Sequence, residues 1–404
     1  MSTAQVKSTG VGTRRPRDRR AQILTAAAAQ FGTVGYSNAN ISEIADAVGI
    51  TAGALYKHFR NKESMLTELT LEGSDRFVAA LADDTADFAS TMSTLVTLAV
   101  SRRDIGVLWQ REARNLPEHQ RTELRDRRRY CQQRVGELIA AHRPASSADE
   151  CRLLADAVIA ILLSPSYHRA QVPSERYRSL LETIIGRVVD VRFDQPEPSV
   201  DPVRTLAPPR HTRRSRREVL LGEATTLFAE RGFHAVTMDE IGQSAGMAGP
   251  SVYNHFAKKD DILIAALNRG ADMLDIGLNK ALAHAESAAH GVHLSLVSYI
   301  ESMTDHPALV TIVVNETASL TDPLRHQLRS RQREYVDEWV HLLASVHPGT
   351  DTDTEELRAT VLAAITVVNI VVVNIAVDRF TTTPAGELVH ELACIGDAVL
   401  GLDR

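Results

Sequence analysis

The sequence predicts an all-α protein assembled from two fused copies of one helical unit, and three observations carry that expectation. Apolar residues recur at helical spacing along most of the chain, rich in Ala, Leu and Val, with aromatics at only 5%. At 404 residues the chain exceeds one comfortable core. It also repeats itself: Arg19 to Leu66 lies on Arg216 to Leu263 without a gap, at a constant offset of 197.

That alignment pairs Phe31 with Phe228, Gly35 with Gly232, Glu43 with Glu240, Ile44 with Ile241 and Gly49 with Gly246, then Tyr56 with Tyr253, His58 with His255, Phe59 with Phe256 and Lys62 with Lys259. A second correspondence, at an offset of 204, lays Val107 to Pro144 on Thr311 to Pro348 and pairs Glu112 with Glu316, Leu116 with Leu320 and Arg121 with Arg325. A repeat this long is a duplicated domain and not a solenoid unit. The expected organisation is a basic arm over 1–18, a head over 19–66, a helical body over 67–192, a linker with a second basic arm over 193–215, a second head over 216–263 and a second body over 264–404.

Each element has its local reason. The first helix is expected from about Arg19 to Gly32, with Ile23, Ala27 and Phe31 on one stripe and Gly35 ending it. The second opens at Asn40 with Glu43 three residues on; its counterpart opens at Thr237 with Glu240, a full capping box. Gly49 and Gly246 stand where two short helices turn sharply, which wants the left-handed backbone that a residue without Cβ adopts freely. Thr51 is suited to cap the third helix; Ala248 is not, and Pro250 supplies a preset φ in that first turn instead. Further on, Pro117 is expected to start a helix running to about Ala141. Residues 193–212, holding Pro196, Pro198, Pro202, Pro208 and Pro209, read as an extended strap, which at about 3.1 Å per residue spans roughly 60 Å.

Composition narrows the class. Apolar residues at 44% and charged ones at 24% are ordinary soluble material, and the formal charge of -6 is, on average, wrong for a nucleic-acid binder. The average conceals two basic arms: Arg14, Arg15, Arg17, Arg19 and Arg20, then Arg210, Arg213, Arg214, Arg216 and Arg217, each directly ahead of a head. Cys131, Cys151 and Cys394 are an odd, scattered set without zinc spacing, which points to a reducing cytoplasm. The basic N-terminus lacks the apolar run of a signal peptide. Residues 359–377 are apolar enough to raise a membrane span, but Thr360, Thr366, Asn369 and Asn374 interrupt them, so the expectation is a helix buried on nearly all sides and no membrane partner. His284, His290 and His293 lack a completing carboxylate or cysteine, so no metal and no cofactor are expected. Neither a Gly-x-Ser-x-Gly nor a phosphate-cradling loop is present, and no enzyme is expected.

The run from Asn40 through Gly49, Thr51, Ala52, Gly53, Ala54, Tyr56, Lys57, His58 and Phe59 to Lys62 resembles the helix-turn-helix signature of the TetR/AcrR family of transcriptional regulators. Thr237 to Leu263 resembles it equally, with Ala248 as its departure. The resemblance implies two fused units, each a three-helix head plus a helical effector-binding and dimerising body. It further implies that the last two helices of each copy pair as an intrachain pseudo-dimer, with further self-association left open. On that reading Ala52, Gly53 and Ala54, with Gly249, Pro250 and Ser251 in copy two, are small enough to press the recognition helix into the major groove. Tyr56, His58 and Lys62, with Tyr253, His255 and Lys259, are suited to phosphates. Lys57 and Asn254 occupy one matching site and differ in kind, Lys favouring guanine and Asn adenine. The arms would enter the minor groove or touch phosphates and make binding salt-dependent.

Trp109, Glu112 and Leu116 share a helical face, which Val313, Glu316 and Leu320 are expected to repeat. The run from Leu108 to Pro117 resembles actinobacterial members of the family that regulate lipid and sterol metabolism. That implies a small apolar effector (lipid, acyl-thioester or sterol-like) near Trp109, Glu112, Leu116, Val313 and Glu316. The alternative is that Trp109 and Glu112 only pack, and pair with Arg111 or Arg121. The expected function is a repressor that binds double-stranded operator DNA with two non-identical heads. Two rivals stand beside it: only the first head reads DNA while the second copy is an interaction module, or the protein activates transcription.

Overall fold

The computed structural model describes residues 16–193 except 84, then 215–320, 322–346, 353–378 and 385–402. Among them every regular element is helical. The first head holds α1 (Pro16–Val34), α2 (Ile41–Ala47) and α3 (Ala52–Leu55). Its body follows as α4 (Lys62–Leu81), α5 (Phe88–Ser101), α6 (Ile105–Val107), α7 (Glu118–His142), α8 (Ala148–Leu163) and α9 (Ser174–Val189). The second head holds α10 (Arg216–Arg231), α11 (Met238–Ser244) and α12 (Gly249–Val252). The second body holds α13 (Lys259–Ala283), α14 (Ala288–Asp305), α15 (Pro307–Glu316), α16 (Asp322–Val346), α17 (Thr354–Asp378) and α18 (Ala385–Leu400).

Local chemistry sets most of these boundaries. α1 starts earlier than its apolar stripe, at Pro16, where a missing N–H costs nothing, and it stops before Gly35, whose φ of 82° is left-handed. Gly49 (φ 67°) and Gly246 (φ 66°) make the helix-turn-helix corners. Asn40 accepts from the N–H of Ser42, and Thr237 and Glu240 close a reciprocal box. Pro117 sits at the entry to α7.

The expected face from Trp109 to Leu116 is irregular. After α6 the chain makes a wide π turn over Leu108–Glu112, then a tight one over Ala113–Asn115. Copy two keeps regular pitch through α15, so the faces do not match residue for residue. Ile312 is fully buried there, and Val313 turns outward at 37% exposure, against the expectation that it repeats Trp109.

The two bodies share one core. α8 packs on α17 and α9 on α18, and the buried apolar residues of the first head and both bodies form a continuous cluster. α17 is long and apolar enough to cross a membrane by length and composition alone, but 72% of its apolar window is buried. Thr360 and Thr366 bond carbonyls of their own helix, and the two asparagines are satisfied by neighbours. Asn369 accepts from the Tyr299 hydroxyl at 2.8 Å, and Asn374 accepts from Arg128 of the other copy at 2.9 Å. At the rim Arg176 pairs with Glu356 at 2.6 Å, again across copies. The second head has a separate core, in which Phe228, Phe233, Ile241 and Val252 close against Leu309, Ile312 and Leu320.

Candidate nucleic-acid interface

Both recognition helices are short, and each presents an exposed tyrosine at its end: Tyr56 is 53% exposed and Tyr253 55%. A large aromatic left in water at the same place in both copies is not packing. Lys57 and Asn254 beside them are exposed, and His58 and His255 are half-buried. Ala52, Gly53 and Ala54, like Gly249, Pro250 and Ser251, stand half-buried to exposed on the outer edge of the helix. Thr51 accepts from the N–H of Ala54 at 3.2 Å, whereas Ala248 offers no cap and Pro250 stands in the first turn.

Five of the expected contacts are otherwise engaged. Lys62 donates to the carbonyls of Tyr36 at 2.6 Å, Ala39 at 3.1 Å and Ser37 at 3.4 Å, with its ammonium over the Tyr36 ring. Lys259 repeats this with Phe233 at 2.6 Å and Val236 at 2.7 Å. These lysines staple the turn between the first two helices of each head, and burial lowers both amino pKa values. In this structure both ammonium groups are held by turn carbonyls, where a phosphate contact was expected of them. Arg19 donates to the Val48 carbonyl at 2.8 Å and so locks the corner of head one. Arg20 stacks on Phe59 at 4.1 Å, donates to the His58 carbonyl and pairs with Glu68. In head two Arg217 stacks on Phe256 at 4.5 Å, but Arg216 stays exposed and lines a cleft of about 320 Å³ with Met247, Ala248 and Ser251. Arg14, Arg15, Arg210, Arg213 and Arg214 lie outside the described residues, as does the Arg17 side chain.

Two buried carboxylates sit where the heads meet the bodies. Glu112, 2% exposed, accepts from Arg111 at 2.6 Å, from the Tyr36 N–H at 3.1 Å and from Asn115 at 3.0 Å. Arg111 also donates to the carbonyls of Phe31 at 2.7 Å and Gly32 at 3.1 Å, at the end of α1. Glu316, 1% exposed, pairs with Arg114 of the first copy and accepts from Ser319 at 3.1 Å. Both glutamates were expected near an effector; Glu112 ties the end of α1 to its body through the Tyr36 N–H, as the alternative pairing with Arg111 anticipates for copy one, and Glu316 binds Arg114 and Ser319 beside Gly232 at the end of α10. Sequence reading missed Arg114 and Asn115, and the doubled glutamate inside an apolar stretch was the signal that could have exposed them. Trp109 is buried with its indole N–H unpaired, and it lines a narrow cleft between the copies with Arg128, Asp156, Ile370 and Asn374. Leu116 is core.

Paired three-helix heads with outward tyrosines on their third helices define a helix-turn-helix DNA-binding protein. The family described as bacterial regulatory proteins, tetR family, matches residues 23–69 and 220–266. The transcriptional repressor KstR2 of Mycolicibacterium smegmatis is 31% identical over 146 residues, covering 34% of this chain and 71% of the repressor. The transcriptional activator FasR of the same species is 43% identical over 70 residues, covering 17% of this chain and 32% of FasR. Among solved structures, KstR2 of Mycobacterium tuberculosis is 24% identical, covering 47% of this chain and 95% of its own, with a TM-score of 0.40. The chain belongs to the tetR family and is a DNA-binding transcriptional regulator that carries the family head twice.

Proposed function

We propose that this chain is a repressor that reads one asymmetric operator with two unlike heads held in a single polypeptide. The observation that carries the reading is the pair of outward tyrosines, Tyr56 and Tyr253, each beside a residue of different base preference, Lys57 and Asn254. Tyrosine and histidine dock on phosphates, and the small residues Ala52 to Ala54 and Gly249 to Ser251 let each helix approach base edges. The paired α8/α17 and α9/α18 act as an internal pseudo-dimer, so one chain supplies what a homodimer otherwise would. Arg14, Arg15, Arg17, Arg213 and Arg214 serve as arms, joined by Arg216 at its cleft. Release is by a small apolar effector; the cleft beside Trp109 is about 10 Å³ and half polar in its lining, so it would have to open widely to admit one.

Footprinting on upstream DNA, with the mass of the complex measured, tests this. One chain per imperfect palindrome is expected, and a perfect palindrome holding two chains, each using one head, overturns it. The uncapped recognition helix at Ala248 favours a second reading, in which head two binds a protein. Tyr56→Ala with Lys57→Ala, and separately Tyr253→Ala with Asn254→Ala, decide between them: the second reading predicts no affinity loss from the latter pair.

A further inference from the structure

The two head-body joints solve the same electrostatic problem with cations from different places. A carboxylate as buried as Glu112 or Glu316 is costly unless a cation and hydrogen bonds hold it. In copy one the cation is local: Arg111, next in sequence to Glu112, also grips the last carbonyls of α1. Body one therefore holds head one through its own guanidinium.

Copy two lacks that residue. The position matching Arg111 is Asn315, whose side-chain oxygen is buried without a hydrogen-bond partner. The cation on Glu316 is Arg114, 202 residues away in sequence and carried by the turn that follows the π segment of copy one. One of its nitrogens meets the Glu316 carboxylate, and the other donates to the Asn315 carbonyl at 3.2 Å. The same guanidinium lies 3.2 Å from where a Cβ on Gly232 would stand, at the end of α10, and Gly232 has a φ of +83°. Lys259 and His234 feel the Glu316 charge as well, but Lys259 has its ammonium on the Phe233 and Val236 carbonyls. In the reverse direction the position matching Arg114 is Ala318, so copy two offers no matching guanidinium, although α1 of head one also packs on the Thr317–Ser319 turn of copy two.

We infer that Arg114 is a positioning residue for the second DNA-reading head, acting from the opposite copy: body one holds head one through Arg111 and head two through Arg114. The two heads are not independent modules on a strap. The angle of α10 depends on the Leu108–Asn115 segment, whose π turn starts at the Trp109 cleft, so a change in copy one reaches both heads. The inference rests on the reading that head two docks on DNA.

The test uses the full chain on its footprinted operator, with each half-site quantified separately. Arg114→Gln is expected to weaken protection of head two's half-site by tenfold or more while head one's stays within twofold. Arg111→Gln is expected to do the reverse. Adding Asn315→Arg to Arg114→Gln rebuilds the copy-one arrangement in copy two and is expected to restore the lost half-site, which a merely structural lesion would not permit. If Arg114→Gln does not fold, Arg114→Met with Glu316→Leu removes the joint without stranding a buried charge, and the same half-site loss is expected. Retention of both half-sites, or equal loss of both, overturns the inference. Tyr253→Ala with Asn254→Ala is the control: no effect from that pair removes the reading of head two itself, whereas an effect there and none at Arg114 removes only this proposal.

Discussion

Glu112→Leu puts the logic of the joints to a quantitative test. The carboxylate holds three donors, Arg111, the Tyr36 N–H and Asn115, at 2.6, 3.1 and 3.0 Å. Leucine fills similar volume but strands the Arg111 guanidinium and the Tyr36 amide. Breaking a buried pair from one side costs about 3–5 kcal/mol. Arg111 keeps the Phe31 and Gly32 carbonyls, so the low end, about 3 kcal/mol, is expected. Because both bodies share one core, the 404-residue chain unfolds together, and at about 2.1 cal/mol/K per residue that is a fall of about 3–4 °C in Tm. Glu112→Gln, which keeps an acceptor, should lose less, and Arg111→Met with Glu112→Leu, which strands no charge, should recover part of the loss, the two changes coupling strongly in a double-mutant cycle. Calorimetry and far-UV circular dichroism against temperature read the parent, these three variants and the Arg111→Met single that closes the cycle. A Tm for Glu112→Leu within about 1 °C of the parent would refute the argument, since a loss near 3 kcal/mol cannot hide in so small a shift.

Lys62→Met and Lys259→Met should lower thermal stability while leaving the slope of log affinity against log salt unchanged, because their ammonium groups hold turn carbonyls; a slope shallower by nearly one charge would return them to the DNA face. Thr51→Ala should cost about 1 kcal/mol in chemical denaturation, and Ala248→Thr, at a residue already extended at φ -65° and ψ 139°, should gain a few tenths to 1 kcal/mol; equal stabilities would show that neither cap matters. The Arg231 hydrogen bond and the Thr237 amide hold the Glu240 carboxyl down at about 2. Its contribution to head two is therefore fully present above the unfolded carboxyl value of about 4.3 and is lost as pH falls toward 2. An acid titration of Glu240→Gln against the parent should converge over that window, and curves that stay parallel would contradict it.

The doubled head was legible because its determinants are local. Gly49 and Gly246 need a backbone that only their own residue type adopts freely, and Thr237 finds its box partner three residues on. Helix α17 was readable as a buried helix from its composition, although Thr360 and Thr366 bond carbonyls of their own helix and only Asn369 and Asn374 take partners from neighbours. The head-body joints were not legible in this way. Lys62 reaches carbonyls 23 to 26 residues back, and nothing in its neighbourhood along the chain distinguishes that from a phosphate contact. Arg19 and Arg216 align, yet the first closes a corner and the second lines an open cleft.

Helix boundaries, corners and the repeat follow from residue types and spacings within a few positions, where backbone sterics and capping act. Which acid an arginine meets is another kind of question. A guanidinium takes whatever carboxylate the packed bodies bring within about 3 Å, so Arg111 and Arg114, three residues apart, serve different heads. The docking of α8 on α17 and α9 on α18, a tertiary event, brings the two copies together and carries Arg114 to Glu316 across 202 residues.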